Sequence, residues 1–120
     1  MSETDEITNP LLAALCKAYP QGLFYRRNVG AMKIGNRYIR FGINGQADIA
    51  GIINGRAYEI ETKAKRGKQS AAQKNWQRAV ERAGGVYVLA YSVDDALDII
   101  SRDIIPAAAV VNLRVDSGVT

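Results

Sequence analysis

The sequence predicts an α/β fold in which helices flank a central mixed β-sheet. Two hairpin signals, Gly35-Asn36 and Asn54-Gly55, lie between strand-like segments of the 120-residue chain. Helical patterns come before and after these strands, and the short apolar run VYVLAY between two of the helices is typical of a buried strand. The order helix, strands, helix, strand, helix is that of an α/β domain.

The first predicted helix contains PLLAALCKAY, whose leucines recur at helical spacing. It begins either at Asn9-Pro10, a capping residue followed by proline at the first helical position, or nearer Thr4 with a bend at Pro10. Cys16 is the single cysteine, and its apolar neighbours predict a small core residue.

Strands and two further helices follow. LFYRRN is predicted to be a strand, and the two hairpins pair AMKI with RYIRF and ADIAGII with RAYEIETK. Ser70 and Gln73 have the spacing of a capping box that opens a helix, and Gly84-Gly85 end it. Trp76 lies on the apolar stripe of that helix, so we expect it in the core rather than as a platform for a base. A final helix begins near Ser92, and the tail PAAAVVNLRV is either an edge strand or an oligomer contact.

Composition limits the classes of protein and of chemistry. A chain of 120 residues that is 48% hydrophobic predicts one domain, residues 1–120. No apolar run is long enough to span a membrane and the N-terminus is acidic and polar, so we expect a cytoplasmic protein without a signal peptide. With no histidine and one cysteine, a zinc site, a Ser-His-Asp triad and a Cys-His dyad are excluded. The net charge of +4 is a weak indication of a polyanionic partner.

The second hairpin carries an unusual group of charges. Because side chains alternate along a strand, Glu59, Glu61 and Lys63 share one face, and the hairpin turn brings Asp48 across from the Glu61 region. Two converging carboxylates are typical ligands of Mg²⁺, and a nearby ammonium can hold a water or stabilise charge on a phosphate. The pattern alone, however, favours a solvated ladder pair of Glu and Lys.

A family resemblance favours the metal site instead. From about Glu6 to about Leu97 the chain resembles a VRR-NUC domain, a branch of the PD-(D/E)XK nuclease superfamily. RRNVGAMKIGNRYIRFGINGQAD is similar to the family's lead-in and Gly-x-x-Asp motif, ETK to its E-x-K motif, QKNW to its Q-x-x-W motif, and AGGVYVLAYSVDDAL to the strand and helix that follow. One departure is Ala47, where the family usually has proline before the aspartate.

The resemblance implies the PD-(D/E)XK fold and a Mg²⁺ cofactor for which Mn²⁺ can substitute. Its implied catalytic residues are Asp48, Glu61, Lys63 and Gln73, and its implied metal ligands are Asp48, Glu61, the backbone carbonyl of Thr62 and Glu6. Glu6 is the best match to a glutamate in the family's first helix, and Glu3 and Asp5 are the alternatives. Lys63 would orient the attacking water. Glu59 is an additional acid, which either pairs with a basic residue or widens the cation site.

Basic residues on either side of these motifs are candidates for contacts with DNA phosphates: Lys65, Arg66, Lys68, Arg26, Arg27, Arg37 and Arg40. Composition alone would assign them to a solubilising surface. Stand-alone members of the family resemble Holliday-junction resolvases, so the resemblance implies a homodimeric endonuclease acting on branched DNA. The alternatives are a less selective DNase and a non-catalytic nucleic-acid-binding module with the same fold.

Overall fold

The computed structural model describes residues 4–27 and 30–104, which form three helices and six strands. The helices are α1 (Asn9–Ala18), which continues a π-helical turn at Thr4–Thr8, α2 (Ala71–Arg82) and α3 (residues 93–104). The strands are β1 (Leu23–Arg26), β2 (Gly30–Ile34), β3 (Arg37–Phe41), β4 (Ile49–Ile53), β5 (Arg56–Thr62) and β6 (Val86–Ala90).

Four of the strands form the central sheet, in the order β1-β4-β5-β6. The pairs β1–β4 and β4–β5 are antiparallel, whereas β5–β6 is parallel because α2 carries the chain back across the sheet. The predicted class is confirmed: the fold is mixed α/β, with a mixed central sheet flanked by helices. The hairpin β2–β3 forms a separate two-stranded sheet, on which Met32 and Tyr38 are 53% and 73% exposed.

The hydrophobic core lies between one face of the central sheet and helices α1 and α3. Leu11 and Leu15 of α1 and Ile100 of α3 are fully buried there. On β5, Ile60 is fully buried and Tyr58 is 1% exposed on this face, as the predicted alternation requires. Each such aliphatic side chain contributes about 1.5–3 kcal/mol through its removal from water.

Two local sequence features set the geometry on the face of the sheet opposite the core: the turn between β4 and β5 and the cap at the start of α2. Asn54 and Gly55 both have positive φ, 52° and 81°, the combination that a two-residue hairpin turn needs between right-twisted strands. At the start of α2 the predicted capping box is present. The Gln73 amide N–H donates to Ser70 Oγ at 3.1 Å, and the Ser70 N–H donates to Gln73 Oε1 at 2.9 Å.

The N-terminal helix starts where one of the two alternatives predicted, but its cysteine is not buried as predicted. It begins at Thr4, the earlier of the two predicted starts, and Pro10, which has no N–H to donate backwards, follows the π-helical turn. Cys16 is exposed, so its prediction as a core residue is wrong. Leu11 and Leu15 are one helical period apart and face the sheet, which turns the following residue about 100° away from the core.

The predicted tail PAAAVVNLRV, residues 106–115, lies outside the described residues. Among residues 4–27 and 30–104, no helix has both the length and the apolar character that crossing a bilayer requires.

Candidate metal and nucleic-acid site

Asp48 joins three strands at one end of the central sheet. Its backbone carbonyl accepts a hydrogen bond from the Arg27 N–H at 2.7 Å, and its carboxylate Oδ2 accepts from both the N–H and the hydroxyl of Thr62, each at 2.9 Å. The β4–β5 register pairs Ile49 with Ile60, so the next step places Asp48 opposite Glu61, as the hairpin predicted. Hydrogen bonds to an ionised carboxylate are the stronger kind, and these two hold Oδ2 in place.

A second threonine extends this hydrogen-bond chain into the core. Thr8 Oγ1 lies 2.6 Å from Thr62 Oγ1, and the two residues are 3% and 0% exposed. The Thr62 hydroxyl has one hydrogen, which it donates to Asp48, so the Thr8 hydroxyl must donate to Thr62. The π-helical turn that places Thr8 against β5 therefore supports Asp48 indirectly.

Glu61 is buried beneath the first turn of α2 and is 3% exposed. Its Oε1 accepts a hydrogen bond from Gln73 Nε2 at 2.7 Å and lies 3.7 Å from Lys63 Nζ. Gln73 thus serves two roles, because its Oε1 completes the capping box while its Nε2 reaches Glu61. A buried carboxylate is costly unless donors and cations surround it, and Gln73 and Lys63 supply both.

Glu59 belongs to a separate cluster beside this one. It is 7% exposed, and its Oε1 accepts hydrogen bonds from Arg27 Nη1 and, at 2.7 Å, from Trp76 Nε1. The Arg27 guanidinium also lies over the Trp76 ring, 5.7 Å from its centroid. Of the two alternatives for Glu59, the structure shows pairing with a basic residue. Trp76 is half-buried beside Glu59 and does not belong to the hydrophobic core, so its prediction as a core residue is wrong.

Tyr87 lies on the same face of the sheet as Glu59 and Glu61, and its pKa is raised. It stands beside Glu59 in the parallel β5–β6 register, and its phenol oxygen accepts a hydrogen bond from Gln69 Nε2 at 3.2 Å. Burial is the main cause that raises the pKa of Tyr87 to about 12, and the neighbouring carboxylates, Glu61 foremost, act in the same direction. Tyr87 therefore lies where this face is shielded from water and close to the three carboxylates.

The predicted phosphate contacts fall into several groups. Lys65, Arg66 and Lys68 are exposed in the loop between β5 and α2, next to the cluster around Glu61. Arg26 is exposed and donates to Asn9 Oδ1 at 3.1 Å. Arg37 is exposed on the separate hairpin, and the side chain of Arg40 lies outside what the structure describes. Arg27 is committed to Glu59, so its charge is largely neutralised.

A cation bound here would be held by the carboxylates of Asp48 and Glu61. Mg²⁺ is commonly bound by one or two carboxylates and keeps several waters, and the oxygen ligands of this pair fit that requirement. Within residues 4–27 and 30–104, no group of three or more acidic or cysteine side chains is arranged to hold a metal. Glu6 is exposed in the π-helical turn and is not brought together with Asp48 and Glu61, whereas Thr8 of the same turn contacts Thr62.

Three features of this region were not predicted from the sequence: the contact of Thr8, the identity of Arg27 as the basic partner of Glu59, and the position of Tyr91. The first two depend on contacts across 54 and 32 residues, for which a single sequence carries no signal. Tyr91 follows the buried strand β6 directly, and an aromatic residue at the exposed end of a strand beside a basic loop was the available clue.

Comparison with known proteins adds no further assignment. No protein-family model matches the chain, and no curated protein is significantly similar to it. The functional argument therefore depends on the residues described above.

Proposed function

We propose that this protein is a metal-dependent DNA endonuclease with the PD-(D/E)XK fold, of the VRR-NUC type that its motifs resemble. One observation carries the proposal. Asp48, Glu61 and Lys63 come from the adjoining ends of two antiparallel strands, and Gln73 joins them from the first turn of α2 through its bond to Glu61. A buried carboxylate (Glu61) and a half-buried one (Asp48), grouped with an ammonium beside a basic loop, are the parts that phosphodiester hydrolysis requires.

Each residue has a role in this chemistry. Mg²⁺, when bound, supplies a Lewis acid for a phosphate oxygen and lowers the pKa of a bound water. Asp48 and Glu61 would hold it, together with the Thr62 carbonyl that the family resemblance implies. Lys63, kept at the cluster by Glu61, would orient the attacking water and stabilise charge on the phosphate as the P–O bond to the leaving oxygen breaks. The cations of the loop after Lys63 would hold flanking phosphates.

The direct test is cleavage of a labelled four-way junction and of a linear duplex with matched sequence. Each is incubated with Mg²⁺, Mn²⁺ or EDTA and with wild type, Asp48→Asn, Lys63→Ala or Lys17→Ala. Lys17 is exposed in the last turn of α1 and serves as the control for loss of a lysine. We expect metal-dependent cutting that the first two substitutions reduce by at least about a hundredfold, as removal of groups acting in the transition state does.

The substrates separate the alternatives. Equal cutting of junction and duplex would indicate a less selective DNase. Tight DNA binding without cutting by wild type in either metal would refute the nuclease and indicate a non-catalytic binding module.

The proposal includes a homodimer, in which two sites act on two strands of a branched DNA. It is supported by apolar side chains left exposed on the face of the central sheet opposite the core. Leu23 and Ile52 are paired across β1 and β4 and are 61% and 48% exposed, and Tyr25 on the same face is 49% exposed. Sedimentation should give twice the monomer mass of 13.1 kDa for wild type and the monomer mass for Ile52→Lys. A monomeric wild type at micromolar concentration would contradict it.

A further inference from the structure

A surface depression lies next to the proposed metal site, where the loop after β5 faces the end of β6. Its volume is about 750 Å³, and it is lined by Lys65, Arg66, Gly67, Lys68 and Tyr91. The sequence motifs account for the cations of this loop only as general phosphate contacts, and they assign nothing to Tyr91.

The depression adjoins the candidate site at Lys63. The Lys63 N–H donates to the carbonyl of Ala90 at 2.9 Å, which places Tyr91, the next residue, beside the start of the loop. Gly67 lies against the aliphatic part of Lys63: a Cβ added to Gly67 would be 3.4 Å from both Cβ and Cδ of that lysine. A DNA strand held at Lys63 would therefore reach the depression with its neighbouring nucleotide.

Tyr91 is fixed in position yet remains accessible. Its hydroxyl donates to the carbonyl of Gly67 at 3.0 Å, and its backbone N–H donates to Asp95 Oδ2 at 3.0 Å. The residue is nevertheless 42% exposed and lines the depression. An aromatic ring that is anchored at its hydroxyl and open to solvent loses little conformational entropy when a flat apolar group stacks on it.

The charge of the depression is uncompensated within the described part of the chain. Lys65, Arg66 and Lys68 are exposed, and none of them forms an ion pair with the described acidic side chains. Three cations beside an aromatic ring are complementary to a nucleotide, because the cations can bind its phosphate while the ring stacks on its base.

We propose that this depression binds an unpaired nucleotide of the DNA strand adjoining the scissile phosphate, with its base stacked on Tyr91 and its phosphate held by the cations of residues 65–68. The ligand is an unpaired nucleotide because bases inside a duplex already have both faces covered by their neighbours. This inference rests on the proposed nuclease function and defines the class of branched DNA it prefers, namely one with an unstacked nucleotide next to the cut.

The test uses DNA that carries 2-aminopurine, a fluorescent base whose emission falls when it stacks. Two substrates are compared: a duplex with a single-stranded flap containing the probe, and the fully paired duplex of the same sequence. Binding is measured by fluorescence anisotropy in EDTA, so that no cutting occurs. The proteins are wild type, Tyr91→Phe, Tyr91→Ala, Tyr91→Leu and Tyr38→Ala. Tyr38 is an exposed tyrosine outside the depression and is the matched control.

We expect quenching of the flap probe by wild type, Tyr91→Phe and Tyr38→Ala, and its loss in Tyr91→Ala and Tyr91→Leu. These two variants should bind the flap roughly 5- to 150-fold more weakly, the range that stacking of one base on an aromatic ring spans. Their affinity for the paired duplex should change less than about twofold, because phosphate contacts supply that binding.

Unchanged flap binding in Tyr91→Ala and Tyr91→Leu, or an equal loss on both DNA forms, would overturn the inference. The outcome is separable from that of the nuclease proposal. Quenching that depends on the ring, in a protein that cuts nothing, would keep the pocket and refute the nuclease. Metal-dependent cutting by wild type, with unchanged flap binding in Tyr91→Ala and Tyr91→Leu, would support the nuclease and refute the nucleotide pocket.

Discussion

Replacement of Thr62 by valine tests whether a buried hydroxyl holds Asp48 in place. Valine has nearly the shape of threonine, so the change removes one hydroxyl from a fully buried site and leaves packing intact. The hydroxyl donates to Asp48 Oδ2 at 2.9 Å and accepts from Thr8 Oγ1 at 2.6 Å. We expect the free energy of unfolding to fall by about 2–4 kcal/mol, because a bond to a carboxylate is lost and the buried Thr8 hydroxyl loses its acceptor.

Two further variants separate the hydroxyl from other effects. Thr62→Ser keeps the hydroxyl and removes a methyl group, so it should cost only about 1 kcal/mol. Thr8→Val should cost about 0.5–1.5 kcal/mol, since it removes one neutral hydrogen bond. The double variant Thr8→Val/Thr62→Val should cost about 1 kcal/mol less than the sum of the single changes, because no hydroxyl is then left without its partner.

The assay is urea unfolding at pH 7, followed by far-UV circular dichroism and by the fluorescence of Trp76, the single tryptophan. A greater loss for Thr62→Ser than for Thr62→Val would refute the reasoning, because the methyl group and not the hydroxyl would then matter. On the proposed function, Thr62→Val should also weaken Mg²⁺ binding about 10- to 100-fold, the usual cost of removing a group that orients a metal ligand.

Three other predictions concern stability. Trp76→Phe should lower the free energy of unfolding by about 1–3 kcal/mol, because the buried carboxylate of Glu59 loses its indole donor; a loss below about 0.5 kcal/mol in urea unfolding followed by circular dichroism would contradict this. The free energy of unfolding should decline above about pH 10, because tyrosine ionises there in the unfolded chain while folded Tyr87, with its pKa raised to about 12, keeps its proton. The stabilisation from this raised pKa is complete below about pH 10 and is lost as the pH rises to about 12. Tyr87→Phe should therefore flatten the decline in urea midpoints between about pH 9 and 12. Gly45→Ala should cost at least about 2 kcal/mol in thermal unfolding, because φ is +91° and the new Cβ would lie 2.3 Å from a carbonyl oxygen of α2. The control Gly35→Ala meets nothing within 4 Å and should cost only about 1 kcal/mol. Equal costs for the two variants would argue against the contact at Gly45.

Features that depend on neighbouring residues could be read from the sequence. Asn54-Gly55 determined a turn because both residues tolerate positive φ, and this turn placed Asp48 opposite Glu61. Ser70 and Gln73 determined where α2 begins, through reciprocal bonds across three residues. These are short-range effects, in which the chemistry of a few adjacent residues selects one backbone geometry.

Features that depend on distant contacts were decided only by the tertiary structure. The β2–β3 hairpin has the same strand and turn signals as β4–β5, yet within the described residues it forms a two-stranded sheet separate from the central one. Both acids of β5 were predicted on one face, but only the fold gives Arg27 and Trp76 to Glu59 and gives Gln73 and Lys63 to Glu61.

Thr8 shows the physical reason most clearly. Nothing near it in the chain distinguishes it from an ordinary helical threonine, and it reaches Thr62, 54 residues away, because α1 packs on the sheet. The sequence determined which residues carry the charges and hydroxyls of the candidate site, since strand alternation and capping are local. Which of them pair was decided by the packing of helices on the sheet, because a buried polar group takes whichever partner the folded chain brings to it.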